Sequence, residues 1–192
     1  MTGGLPAHFE TERLIIRAYQ PDDGPMYFDV ARKNREHLRP YEAGNVLMTI
    51  ETPAQAEKVV RDLHTYWVNR QCYFLGAFEK DTGAFAAQLY IGGFKLDPPE
   101  YIIGYIADRD HEGRGYVTEA VRAALAFIFQ HLGAHRVRIH CDETNLRSQR
   151  VAERCGFVKE GLSREDTRNP DGLLTGTAVY GLLRREYERE HA

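Results

Sequence analysis

The chain has no long hydrophobic run. No apolar stretch in its 192 residues approaches the roughly 20 needed to span a bilayer. Residues 1–12 lack the basic-then-apolar pattern of a secretion signal. The expectation is a cytoplasmic protein without a membrane partner. Cysteine is scarce and unpatterned. Cys72, Cys141 and Cys155 have no C-x-x-C spacing, which excludes a disulfide frame and points to free thiols in a reducing compartment. Positive charge is not in excess either. The formal net charge is -3, so the chain carries no basic field for a nucleic acid. Arg184-Arg185 is followed at once by Glu186, Glu188 and Glu190, the pattern of a solvated terminal helix. H-E-x-x-H, G-x-S-x-G and the P-loop are all missing. His140-Cys141-Asp142 lies in a strand-like run where neighbours point to opposite faces, and Gly133 separates His131 from His135. No metal is therefore expected.

What the sequence does have is periodicity. Residues 14–19 alternate like a strand, and Pro21-Asp22-Asp23 suits a helix start. Residues 34–45 are irregular and contain Pro40. A short helix or turn is expected there, on the substrate side if anything is. Thr52-Pro53-Ala54-Gln55 is a capping box, followed by an apolar face of Ala56, Val59, Val60, Leu63 and Trp67. Trp67 reads as a core anchor. Residues 73–79, 85–94 and 101–107 form three strands joined by short turns, with a bulge or weakness at Gly92-Gly93, so antiparallel pairing is expected. Val117, Val121, Ala124, Leu125, Ile128, Phe129 and Leu132 trace the clearest helical face in the chain, and Gly133 stops it. A strand at 136–141 follows, so this unit is a parallel crossover. A helix at 145–155 and strands at 157–163 and 174–183 close the chain. No repeat or linker interrupts residues 1–192, which read as one α+β domain. Its sheet is mixed, mostly antiparallel and of about seven strands, with one parallel β-α-β unit. Residues 1–12, Gly-rich and polar, are expected to be loose.

Between the strand at 101–107 and the best helix lies Glu112-Gly113-Arg114-Gly115-Tyr116-Val117. Strand, glycine turn and helix together aim unpaired backbone N–H groups at an anion. The bland alternative is a glycine turn without a ligand. This loop, with Asn145-Leu146-Arg147-Ser148 and Cys155-Gly156-Phe157, resembles the Gcn5-related N-acetyltransferases, whose loop is written Q/R-x-x-G-x-G/A. Thr11-Glu12-Arg13-Leu14 and Pro21-Asp22-Asp23 resemble the start of the RimJ/RimL branch, which acetylates ribosomal-protein N-termini. The likeness covers nearly the whole chain. It implies a three-layer fold with helices on both faces of the sheet.

It also implies acetyl-CoA as cosubstrate and an amine acceptor, either a protein N-terminus or a small amine. The expected cofactor-binding residues are Ile106, Glu112, Gly113, Arg114, Gly115, Tyr116, Val117 and Asn145. Ser148 is the catalytic candidate, donating a hydrogen bond to the leaving thiolate. The plain readings stand beside these roles: a solvated Arg114, an Asn145 helix cap and a surface Ser148. The loop departs from the family at Glu112 and Val117, and Ala152 stands where many members carry a tyrosine acid. Glu100, Glu143, Glu160 and a water-mediated path are all open as the base. A non-catalytic acyl-CoA-binding module is the competing class of function. The chain is compatible with a monomer or a homodimer.

Overall fold

The computed structural model describes residues 5–191. The expected looseness of residues 1–4 lies outside the described residues. The eight strands of those residues form one sheet in the order β1-β2-β3-β4-β5-β6-β8-β7. They are β1 (His8–Glu10), β2 (Leu14–Ala18), β3 (Cys72–Glu79), β4 (Phe85–Leu96), β5 (Pro99–Ala107), β6 (Arg136–Asp142), β7 (Val158–Arg168) and β8 (Leu174–Leu183). Five α-helices accompany them: α1 (Gly24–Glu42), α2 (Pro53–Val68), α3 (Tyr116–Gln130), α4 (Leu146–Arg154) and α5 (Arg184–Glu190). Only β5 and β6 pair in parallel, as the crossover through α3 demands.

Two expectations are corrected here. The sheet has an eighth strand, because residues 8–10 pair with β2 at its edge instead of hanging loose. Such a short polar edge strand leaves no period to read. Residues 34–42 are not a separate short element but the end of α1, which continues through Pro40. Pro40 lacks the N–H that would bond the carbonyl of residue 36, and the helix ends two residues later. The expected capping box holds: Gln55 N–H donates to Thr52 Oγ1 at 3.3 Å and Thr52 N–H donates to Gln55 Oε1 at 2.9 Å. The bulge at Gly92-Gly93 appears as a register shift between Gly93 and Lys95.

The sheet separates two apolar layers. On one face Val121, Ala124, Leu125 and Ile128 of α3 pack on Leu75, Leu89, Ile103 and Ile139. On the other, Tyr27 and Val30 of α1 and Val60 and Leu63 of α2 pack on Tyr19, Phe78 and Ile106. Trp67 is half-buried, at the edge of the first layer, with its ring 5.2 Å from that of Tyr73. Apolar burial at about 25 cal/mol per Å² makes these layers the main stabilising term.

The feature that positions a site is a failure of pairing. β5 and β6 are joined only from Glu100–Arg136 to Ile102–Arg138. Beyond that point the strands separate, although β5 runs on to Ala107 and β6 to Asp142. A cleft opens at their carboxyl ends, where α3 and α4 begin.

Candidate active site

The loop between β5 and α3 bends through two left-handed glycines, Gly113 with φ +73 and Gly115 with φ +81. A Cβ on Gly113 would meet nothing within 4 Å, and one on Gly115 only the Arg13 guanidinium at 3.5 Å. Backbone conformation, not space, therefore selects glycine there. No side chain caps the N-terminus of α3. None of the backbone N–H groups of residues 112–118 has an acceptor among the described residues. A run of unpaired donors at a helix N-terminus is a ready anion site.

Three anchors hold this loop. Asp108, almost fully buried, accepts from Lys33 Nζ at 2.8 Å, Asn34 Nδ2 at 3.0 Å, His111 Nδ1 at 2.8 Å and Asp110 N–H at 3.0 Å. Burial pushes its pKa up, but the hydrogen bonds from Lys33, Asn34 and His111 outweigh that and hold it below the ordinary value. Glu79 of β3 accepts a hydrogen bond from the Tyr116 hydroxyl and lies 3.6 Å from His111 Nε2. Arg13 donates to the Arg114 carbonyl at 3.0 Å, pairs with Glu119 at 2.6 Å and lies over the Tyr116 ring at 4.4 Å. Sequence reading missed Asp108, Glu79 and Arg13. Arg13 alone had a signal, since it falls in the quoted opening motif.

Behind the loop a cavity of about 510 Å³ runs into the cleft. Ile106, Glu112, Val117, Asn145 and Ser148 line it, so the structure brings these five expected residues together. Asn145 caps α4 by accepting from Ser148 N–H at 3.1 Å. That occupies its oxygen and leaves its amide NH2 without a protein partner among the described residues. Ser148 Oγ lies 3.0 Å from the hydroxyl of Tyr105, which also donates to the Ser148 carbonyl at 3.0 Å. Burial drives the Tyr105 phenol upward, against the opposing hydrogen bond from Ser148, so it stays protonated at neutral pH. Tyr105 was not anticipated; its alternation on β5 marks only a sheet face.

A second cavity, of about 340 Å³, meets the first at Tyr105, Ser148, Asn145 and Glu42. Its outer wall is the β7–β8 hairpin, with Thr167, Arg168, Asn169 and Pro170. The cleft is thus a two-ended passage with two hydroxyls at the junction.

A model of the acetyltransferase (GNAT) domain family matches residues 13–158. The chain belongs to this family. The putative ribosomal N-acetyltransferase YdaF of Bacillus subtilis is 28% identical over 182 residues, covering 93% of this chain and 96% of YdaF. The ribosomal-protein-S5-alanine acetyltransferase of Vibrio fischeri superposes with a TM-score of 0.83 at 19% identity, over 95% of this chain and 99% of that one. RimL, the ribosomal L7/L12 alpha-N-protein acetyltransferase in complex with coenzyme A, superposes with a TM-score of 0.81 at 18% identity, over 93% and 97%. The expected GNAT fold is present, and the chain is an N-acetyltransferase.

The remaining site residues of this acetyltransferase divide clearly. Gly113, Arg114, Gly115 and Tyr116 lie outside the 510 Å³ cavity, at its loop end. What they have to offer is backbone, since the Arg114 side chain is exposed and 3.9 Å from Glu79, and the Tyr116 hydroxyl donates to Glu79. Glu112, which departs from the family pattern, lies between Arg147 at 2.5 Å and His37 at 3.2 Å, so its charge is compensated. Ala152 is fully buried in the core.

None of the three carboxylates considered as the base lines either cavity. Glu100 is buried at the far end of β5 beside Arg136 and Arg138. Glu160 pairs with Arg136 at 2.5 Å. Glu143 accepts from Gly176 N–H at 2.7 Å.

Proposed function

We propose that this acetyltransferase moves the acetyl group of acetyl-CoA to the α-amine of a protein N-terminus, by direct attack with both substrates in the cleft. One observation carries the reading: the loop of unpaired N–H groups, residues 112–118, adjoins through Glu112 and Val117 a cavity that Asn145 and Ser148 also line. These residues fit acetyl-CoA. The loop N–H groups hold the pyrophosphate, the Asn145 amide meets the pantetheine arm, and the free edge of β5 beyond Ile102 runs alongside it.

At the junction the Ser148 hydroxyl hydrogen-bonds the sulfur as the carbon–sulfur bond breaks, and Tyr105 holds that hydroxyl in place. The acceptor enters from the hairpin side. A ribosomal-protein N-terminus is supported by YdaF and by the two solved acetyltransferases. The cavity behind the hairpin suits the first residue of an extended chain.

Residues 1–192 act as one catalytic domain in this reading. The test is release of free thiol from acetyl-CoA on adding N-terminal peptides, with polyamines and aminoglycosides as the comparison. Release confined to peptides with a free α-amine supports the reading. Release with small amines alone contradicts the acceptor class.

A further inference from the structure

An ammonium group cannot attack a thioester, so the acceptor must lose a proton inside the cleft. We propose that Glu42, the last residue of α1, is the general base that takes it. The inference rests on the reading above. Glu42 is the carboxylate common to both cavities, and it also lines a third pocket between the end of α1 and β4–β5. The other carboxylates facing these spaces are occupied. Asp142 accepts from the Thr144 hydroxyl at 2.6 Å and its N–H at 2.8 Å. Glu112 is held between Arg147 and His37. Glu42 takes a single hydrogen bond among the described residues, from Asn45 Nδ2 to Oε2 at 3.1 Å, so Oε1 is open.

The position also suits the chemistry. Burial raises the pKa of Glu42 against the opposing hydrogen bond from Asn45. The negative end of α1 acts in the same direction. A carboxylate of raised proton affinity is a better base toward an amine.

Other titratable and charged groups face Glu42. From α1 and β5, Tyr41 and Tyr105 line both cavities, and Tyr90 of β4 lines the third. Burial pushes Tyr105 and Tyr90 up, so neither accepts a proton. From β6, burial raises the Cys141 thiol, while Thr144 and Thr175 hold Asp142 down despite its burial. Arg168 of β7 donates to the Gly172 carbonyl. His140 of β6 is the rival base. Partial desolvation and Arg138 lower its pKa, but its side chain stays largely open to solvent and lines the acceptor cavity only.

The step balances as follows. Glu42 takes one proton from the ammonium, and the freed lone pair attacks the carbonyl carbon. The carbon–sulfur bond breaks with its electrons going to sulfur. The second amine proton reaches that sulfur through the hydroxyls of Ser148 and Tyr105. Glu42 then returns its proton to solvent.

The experiment compares wild type with Glu42→Gln, which keeps the shape and can still accept from Asn45. It follows thiol release with an N-terminal peptide between pH 6 and 9.5, and acetyl-CoA affinity by calorimetry. Glu42→Gln is expected to lose turnover by about 100-fold or more at pH 7, the scale of general base catalysis. Acetyl-CoA affinity and melting temperature should be unchanged. The deficit should shrink as the pH rises and neutral amine becomes available from solution. Full turnover in Glu42→Gln, with the loss appearing in His140→Ala instead, would overturn the assignment of Glu42 alone. A loss that is the same at every pH would also overturn it, marking a positioning role. A wild type that releases no thiol with any amine overturns the acetyl-transfer reading itself.

Discussion

The two ends of the cleft are built differently. At the proposed cofactor end, residues 108–119 are tied to α1 through Asp108, to β3 through Glu79 and to the turn before β2 through Arg13. At the acceptor end, every residue of β7 is exposed, and the strand forms an edge of the sheet. There the described residues show one ion pair between α1 and the hairpin, Arg39 to Asp171 at 3.3 Å, and both side chains are solvated. The contrast matches the tasks. A pyrophosphate presents the same geometry in every cycle, so a rigid set of donors suits it. An acceptor chain varies, and a wall with few constraints is free to vary with it.

The sharpest way to break this contrast is at the cofactor end. Gly115→Asp forces a side chain onto a backbone at φ +81 and brings a carboxylate to the anion site. Acetyl-CoA binding should be lost, by about 100-fold or more in calorimetry, because like charge replaces an unpaired donor site. The far-ultraviolet circular dichroism should not change. Next in size is Ser148→Ala. It should lower turnover by roughly 10–100-fold, as loss of a transition-state hydrogen bond does, with acetyl-CoA affinity held within about twofold. Equal turnover in the variant removes Ser148 from the mechanism.

Asp108→Asn tests the anchor directly. Breaking a buried, charge-assisted set of bonds should cost about 2–3 kcal/mol in denaturant unfolding and weaken acetyl-CoA binding through the loosened loop. The sign with pH follows from its lowered pKa. The ionised form stabilises the fold above the ordinary carboxylate value of about 4, and that stability is lost as the pH falls through the lower folded value. Wild type and variant should therefore converge in stability below about pH 4, and a constant difference would contradict the account. The smallest effect belongs to the acceptor end. Arg39→Ala should change stability by less than about 0.5 kcal/mol, since solvated ion pairs contribute little. It should shift KM for a peptide acceptor a few-fold and leave the acetyl-CoA dissociation constant alone.

The same contrast governs what could be read before the structure was seen. The cofactor end was legible because its signals are local: glycines that must be left-handed, an apolar helix face beginning at Val117, and an asparagine placed to cap α4. Of the expected residues that line the 510 Å³ cavity, Glu112 and Val117 belong to that glycine loop, while Ile106, Asn145 and Ser148 were named through the family resemblance. The anchors were not legible, because Asp108, Glu79 and Arg13 act across long stretches of chain that only the folded sheet brings together. Tyr105 and Glu42 were missed for a related reason. An alternating strand marks which face a tyrosine occupies but not the serine it will meet. The last turn of a helix that runs through proline has no period that singles out its carboxylate. The edge strand β1 is three residues long, too short for any pattern to show.

The central claim is that the backbone N–H groups of residues 112–118 receive the pyrophosphate. Amide nitrogen–proton NMR spectra recorded during titration with coenzyme A test it most directly. The account predicts that the amide resonances of residues 112–118 move strongly downfield as hydrogen bonds to phosphate form, and move far less with pantetheine, which lacks the pyrophosphate. Saturable binding that leaves those amides in place, or equal shifts with both ligands, would contradict it.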